Sequence, residues 1–202
     1  SLDLDREFEL VVPEGYDPGQ SWPLVFNFHG LGEDVDDYIA VADYQALADE
    51  YGFIIVLPQG IQEDGGGFSW EIAVPENKDV VFFDDLLTCI GSSFNLDDTR
   101  IHVTGMSNGG LMTGLLTAVR GDILASTAPM SGGILVSVPE QENLLPVLVI
   151  WGGPEDLAFD QNFDTLADNM ISALEAGHFL IACDHGLGHE LQASFFDFIF
   201  PF

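Results

Sequence analysis

The sequence predicts an α/β protein: a doubly wound, mostly parallel sheet with helices on both faces. Three observations carry this. Short apolar runs alternate with segments of helical period almost from end to end. The runs are rich in Val, Ile and Phe and lack polar alternation, as strands buried on both faces require. Strand, helix, strand in repetition demands right-handed crossovers between parallel strands. At 202 residues, 47% of them apolar, the chain has room for a real core. We read residues 1–202 as a single domain without a separate lid.

Taken in order, the candidate strands are "FELVV" (8–12), "PLVFNF" (23–28), "FIIVLP" (53–58), "RIHVTG" (100–105), "ILASTAP" (123–129), "PVLVIW" (146–151) and "HFLIAC" (178–183). Amphipathic stretches lie between them: "DYIAVADYQALADEYG" (37–52), "DVVFFDDLLTCIGSSF" (79–94), "GGLMTGLLTAV" (109–119) and "DTLADNMISALEAG" (164–177). A last one, "ELQASFFDFIF" (190–200), closes the chain. "QEDGGGFSW" (62–70) reads as a Gly-rich surface loop with no phosphate role.

In open sheets of this kind the reactive groups lie beyond the carboxyl ends of the strands. Ser107 follows "IHVTG", His29 follows "LVFNF", Asp156 follows "VLVIW" through "GGPE", and His189 follows "FLIAC" through "DHGLG". Four chemistry-bearing side chains thus fall on one edge. Ser107 also sits in G-x-S-x-G, flanked by Gly105 and Gly109 with Gly110 beyond. On a strand-to-helix elbow the nucleophile takes a strained conformation, and small neighbours prevent clashes.

A serine hydroxyl needs a base near neutral pH. His102 lies inside the strand before the elbow and reads as a core residue. His178 sits at the opposite end of its strand, and His29 is expected to order its loop. "DHGLGHE" leaves His185 and His189; the flexible "GLG" favours His189, with His185 holding the loop. The same pair flanked by Asp184 and Glu190 suggests a metal set, but zinc sites of that spacing use a helix, which Gly186 and Gly188 disfavour; we assign no metal. Asp156 is the expected acid that orients the imidazole, with Glu155 and Asp160 as alternatives. The order Ser107, Asp156, His189 is that of the α/β hydrolases. The oxyanion hole is expected from the backbone N–H groups of Asn108 and Leu31, and substrate contacts from Trp70 and Trp151.

The charge excludes whole classes of partner. Acids number 34 against four basic residues, Arg6, Lys78, Arg100 and Arg120, giving a formal charge of −30. Nothing is available to neutralise phosphates, which argues against nucleic acid and anionic membrane. The only lysine follows no phosphate-loop pattern. No apolar run approaches a membrane span, and no signal peptide is visible. Such a surface suits a salty solvent, a marine exterior or a halophile's cytoplasm, although acids also serve ordinary solubility. Cys89 and Cys183 fit no zinc motif and are expected as free, buried thiols, with one disulfide as the alternative.

"FNFHGLGED", "FIIVLPQG", "RIHVTGMSNGG" and "GHFLIACDHGLGH" together resemble the polyhydroxybutyrate depolymerase and feruloyl esterase branch of the α/β hydrolases, over about residues 20 to 190. The resemblance implies a secreted serine esterase using Ser107, Asp156 and His189, with no cofactor. Two stretches depart from the family pattern: "WGGPED" replaces a His-Gly-Thr-type turn, and "ELQ" replaces a Trp-Pro pair after the histidine. The expected activity is hydrolysis of a bulky or polymeric ester, polyester first, feruloyl or acetyl esters of polysaccharide second. A monomer is expected. The rival readings are a serine peptidase of the same fold and an inactive binding module.

Overall fold

The computed structural model describes residues 5–73, 76–140, 142–175 and 177–202. Strand β1 (Phe8–Val11) is followed by β2 (Trp22–Phe28). The segment expected as one helix over 37–52 is broken in two. Helix α1 (Val35–Tyr38) runs into a 3-10 turn at Ile39–Val41, and α2 (Tyr44–Tyr51) starts afresh. Asp43 is the cause: its carboxylate accepts from the Ala46 amide at 3.0 Å, so it caps a new helix instead of continuing the old one. Strand β3 (Ile54–Pro58) comes next. The Gly-rich stretch after it folds into a small hairpin, β4 (Ile61–Gln62) against β5 (Phe68–Ser69).

Helix α3 (Lys78–Ser93) begins where the Asn77 side chain accepts from the Asp79 and Val80 amides. Strand β6 (Leu96–Met106) starts four residues before the expected run and leads into α4 (Asn108–Val119). Then come β7 (Ser126–Met130), β8 (Pro146–Trp151) and a second hairpin, β9 (Leu157–Ala158) with β10 (Gln161–Asn162). Helix α5 (Phe163–Leu174) and strand β11 (Phe179–Asp184) follow. The closing segment, expected as one helix, is shorter: a 3-10 turn at Ala193–Phe195 and α6 (Phe196–Ile199).

Seven strands form one sheet in the order β1-β3-β2-β6-β7-β8-β11. Strand β1 runs antiparallel to β3, and the other described pairings in this sheet are parallel, as the sequence predicts. Alternate residues of each central strand feed two cores. Leu24, Phe26 and Phe28 of β2 join Phe83 and Ile90 of α3, Met112 and Leu116 of α4 and Met170 of α5. Val25 and Ile55 join Tyr38, Tyr44 and Ala48 with Phe196 and Ile199 on the other face. Removing a large side chain from either core costs about 2–5 kcal/mol.

Burial of both faces fails at one strand. Phe179 and Ile181 of β11 are 63% and 40% exposed because β11 is the last strand of the sheet. Cys89 and Cys183 are both free, but Cys89 is exposed, not buried, and Cys183 is half-buried. Among the described residues no helix is long and apolar enough to cross a membrane.

Candidate active site

The carboxyl ends of β2, β6, β7, β8 and β11 lie side by side, and the site is built on the loops that leave them. At the end of β6 the chain turns at Ser107, whose backbone takes φ 58° and ψ −118° before α4 begins. A non-glycine residue there is strained by roughly 1–3 kcal/mol. Two backbone bonds hold it: the Ser107 amide donates to Met130 O and the Leu111 amide to Ser107 O, both 2.9 Å. The flanking glycines make the approach possible. A Cβ on Gly105 would lie 2.7 Å from the carbonyl oxygens of Phe28 and Gly109, and one on Gly109 would run into the Phe28 carbonyl.

The structure brings the expected nucleophile, base and acid into one line. His189 Nε2 lies 2.9 Å from Ser107 Oγ, and His189 Nδ1 lies 2.6 Å from Asp156 Oδ1. The imidazole stacks on Phe163 with ring centroids 4.6 Å apart. Asp156 is fully buried. Burial pushes its carboxyl up, but hydrogen bonds from His189, the Gly152 amide and the Ser131 hydroxyl outweigh that and hold it below the ordinary value. The Gly152 amide and Ser131 Oγ both donate to Asp156 Oδ2 at 2.8 Å.

The loop carrying His189 reaches this position because Gly188, at φ 74°, donates its amide to Gly152 O at 3.0 Å. Gly152 has no room for a side chain: a Cβ would run into the Gly188 carbonyl. His185 stays with the loop, its ring 4.7 Å from that of Phe195 and its Nδ1 accepting from the Leu187 amide. Glu155 and Asp160 stand outside the line; Asp160 occupies the β9–β10 turn at φ 61°. His102 bonds Ser126 Oγ, and His178 approaches Leu145 O, away from the site.

The two residues expected to line an oxyanion hole stand on different segments, Leu31 on the loop after β2 and Asn108 at the start of α4. The backbone N–H groups of Leu31 and Asn108 make no hydrogen bond within the described residues, so both remain available. His29 orders this loop. It is buried, and burial pushes its imidazole down to about 4. As a neutral ring it donates from Nδ1 to Gly30 O and accepts at Nε2 from the Gly60 amide, 2.9 Å, with Gln59 Nε2 at 3.2 Å. Glu33 folds back so that its carboxylate accepts from the Gly30 amide at 2.7 Å.

Trp70 lies differently from expectation. Trp70 is 3% exposed, stands edge-on to Phe28 and donates from Nε1 to His29 O, so it supports the loop from beneath. Trp151 is half-buried and donates to Asp164. Burial leaves Trp70 no open ring face for a substrate, whereas Trp151 remains partly exposed. Among the described residues no three His, Cys, Asp or Glu side chains converge as a metal set. Two members of the arrangement escaped sequence reasoning, Ser131 and Phe163. Ser131 immediately follows β7, so the carboxyl-edge rule could have marked it.

The Esterase family model matches residues 1–199. The chain belongs to the Esterase family. A bifunctional acetylxylan esterase/xylanase of Neocallimastix patriciarum is 25% identical over 165 residues, which are 81% of this chain and 23% of that one. A poly(3-hydroxyalkanoate) depolymerase C of Paucimonas lemoignei is 29% identical over 130 residues, 60% of this chain and 30% of that one. The chain therefore spans a third or less of the length of these two relatives. Among solved structures, the esterase PE8 superimposes with a TM-score of 0.74 at 18% identity, covering 98% of this chain and 97% of its own. The fold is that of the α/β hydrolases.

Proposed function

We propose that this Esterase-family chain is a serine carboxylic-ester hydrolase working through an acyl-enzyme. The carrying observation is the unbroken line from Asp156 through His189 to Ser107, at 2.6 and 2.9 Å. With Asp156 accepting at Nδ1, the Nε2 lone pair faces the serine hydroxyl. Ser107 Oγ attacks the ester carbonyl carbon as its proton passes to His189 Nε2. The carbonyl oxygen becomes an oxyanion beside the Leu31 and Asn108 amides, at the N-terminus of α4. Collapse breaks the bond to the alcohol, which leaves with the proton from Nε2. Water, losing a proton to the same nitrogen, then attacks the acyl carbon and frees Ser107. Asp156 stays ionised and stabilises the imidazolium between the two transfers. No step calls for a cofactor.

The substrate we favour is a bulky or polymeric apolar ester. Leu31, Leu157, Phe159 and Leu187 are 39%, 53%, 69% and 48% exposed; Leu31 and Leu187 stand on the loops after β2 and β11, and Leu157 and Phe159 in the β9–β10 hairpin that follows Asp156. Exposed apolar side chains gathered around one place mark a contact surface. Among the described residues the 131–145 connection after β7 carries no helix or strand, so a large substrate meets no lid built from it. An acetyl or feruloyl ester on polysaccharide is the second reading, supported by the acetylxylan-esterase relative. The family resemblance favours an extracellular location.

A panel of p-nitrophenyl esters, run beside polyester-film clearing and release from acetylated xylan, tests both levels. Wild type is expected to hydrolyse short esters and clear the film, and Ser107→Ala to lose at least about 10⁴ in kcat. Turnover of no ester would end the reading. Release from xylan without film clearing would move the substrate to polysaccharide esters.

A further inference from the structure

Ser131 stands at φ 40°, in the left-handed region, and is 1% exposed. A glycine takes that conformation freely, whereas an L side chain there is strained. Glycine would be the undemanding choice, and the next two residues, Gly132 and Gly133, are glycines. What serine adds is a hydroxyl, and that hydroxyl donates to Asp156 Oδ2 at 2.8 Å. Strain kept at a buried position next to a reactive group points to a role for the side chain that requires it.

The surroundings give that role mechanical sense. Met130, the residue before, accepts the amide of Ser107 at 2.9 Å. The Ser131 amide donates to Ile150 O on β8 at 2.8 Å. A Cβ on Gly132 would lie 2.5 Å from Gly110 O, on the helix that starts at the nucleophile. One three-residue segment, Met130–Gly132, therefore touches the elbow on one side and the acid on the other. The buried Asp156 carboxylate takes His189 on Oδ1, and its Oδ2 is fixed by Ser131 and the Gly152 amide. With both donors present the carboxylate cannot rotate away from the imidazole.

We infer that Ser131 is a positioning residue of the hydrolytic site, a fourth member of the relay that fixes the Asp156 carboxylate and ties its orientation to the Ser107 elbow. This rests on the reading of Ser107, His189 and Asp156 as the reacting set. It does not touch substrate; its effect passes through Asp156.

The test uses Ser131→Ala, which keeps the strain and loses the hydroxyl, and Ser131→Gly, which loses both. Ser107→Ala is the reference, and p-nitrophenyl butyrate the substrate. Each Ser131 variant is expected to lose about 10- to 100-fold in kcat, the size of one hydrogen bond to a charged group, with KM within about twofold. The acid limb of the kcat/KM profile moves to higher pH, because a carboxylate short of one donor holds the imidazolium more firmly. Ser131→Gly should melt above Ser131→Ala, which separates backbone strain from the hydroxyl and supplies a folded variant if the alanine form collapses. Kinetics of Ser131→Gly within twofold of wild type would overturn the proposal, as would losses in both variants with the acid limb unmoved. If Ser131→Gly is fully active while Ser107→Ala is dead, only the Ser131 proposal fails. If Ser107→Ala is active, the reading of the whole site fails with it.

Discussion

The elbow at Ser107 and the loop at His189 bring two halves of one site together by opposite means. The elbow is packed backbone on backbone: Gly105 and Gly109 lie against the Phe28 carbonyl, Ser107 is buried, and its strain is held by the sheet on one side and α4 on the other. The His189 loop is open at Gly186 and Leu187, while Gly188 packs on Gly152. Gly186 and Gly188 take left-handed φ values of 68° and 74°, nothing lies within 4 Å of the position a Gly186 Cβ would occupy, and Leu187 is half exposed. That loop is held by a few bonds, from the His185 amide to Trp151 O and the Gly188 amide to Gly152 O, and by Phe163 stacking on the imidazole. The proposed nucleophile is held by tightly packed backbone, and the proposed base mainly by ring stacking and a few hydrogen bonds. Substitutions should therefore fail differently in the two regions.

The largest contrast is chemical. His189→Ala is expected to lose about 10⁴ to 10⁶ in kcat, as removal of a triad base does, with its melting midpoint close to wild type because the loop is open at Gly186 and Leu187. His185→Ala should keep kcat within about tenfold and change stability instead, since His185 packs on Phe195 and orders the loop. Steady-state kinetics and thermal melts on the two variants check this. A kcat collapse at His185 alone would reverse the assignment of the base.

The next contrast is steric. Gly109→Ala puts a methyl into the Phe28 carbonyl, where only backbone could yield. It should cost about 3 kcal/mol or more and take activity with it, because Phe28 leads directly into the loop that carries Leu31. Gly186→Ala meets open space and only the left-handed φ, so about 1 kcal/mol is expected, with activity largely kept. Urea unfolding of both proteins measures the difference. Equal losses would mean that the two regions are not held differently.

What the sequence makes legible follows the same division. Local signals are read directly: glycines around a serine between an apolar strand and an apolar helix place the elbow. The carboxyl-edge rule carries Asp156 and His189 to the same edge because β8 and β11 are neighbours in a parallel sheet. Contacts made only in three dimensions are not legible. Ser131 reaches Asp156 across 25 positions, and Phe163 finds His189 only when α5 docks. Trp70 looks like a binding aromatic in one dimension and is a buried support in three. The break at Asp43 was within reach, since an aspartate before an apolar-periodic run is a capping signal; the longer period over 37–52 conceals it.

A smaller effect separates the charged surface from the buried histidines. Lowering pH at low salt relieves repulsion among the acids, and each of the four basic residues already pairs with an acid. His29 opposes this. Its folded value of about 4 lies below the ordinary 6.5, so the folded state excludes the proton that the unfolded chain accepts. Its contribution to stability is full above about pH 6.5 and is lost as pH falls towards 4, up to roughly 3 kcal/mol. His102 and His185, also lowered by burial, act in the same direction. At 1 M NaCl, where the Debye length is about 3 Å, the surface term is screened and the histidine term stands alone. Stability there should decline from pH 7 to pH 5, while at low salt the two terms partly cancel. At pH 7, raising NaCl from millimolar to molar should raise the melting midpoint. A midpoint that rises on acidification in molar salt would contradict the role given to His29.

The most direct test of the central claim, that Ser107 is a nucleophile activated by His189, is fluorophosphonate labelling read by intact mass and peptide mapping. The account predicts one adduct per wild-type chain, on Ser107. It predicts strongly slowed labelling in folded His189→Ala and no labelling in Ser107→Ala. A folded wild-type protein that takes no label, or takes it on another residue, would contradict the account.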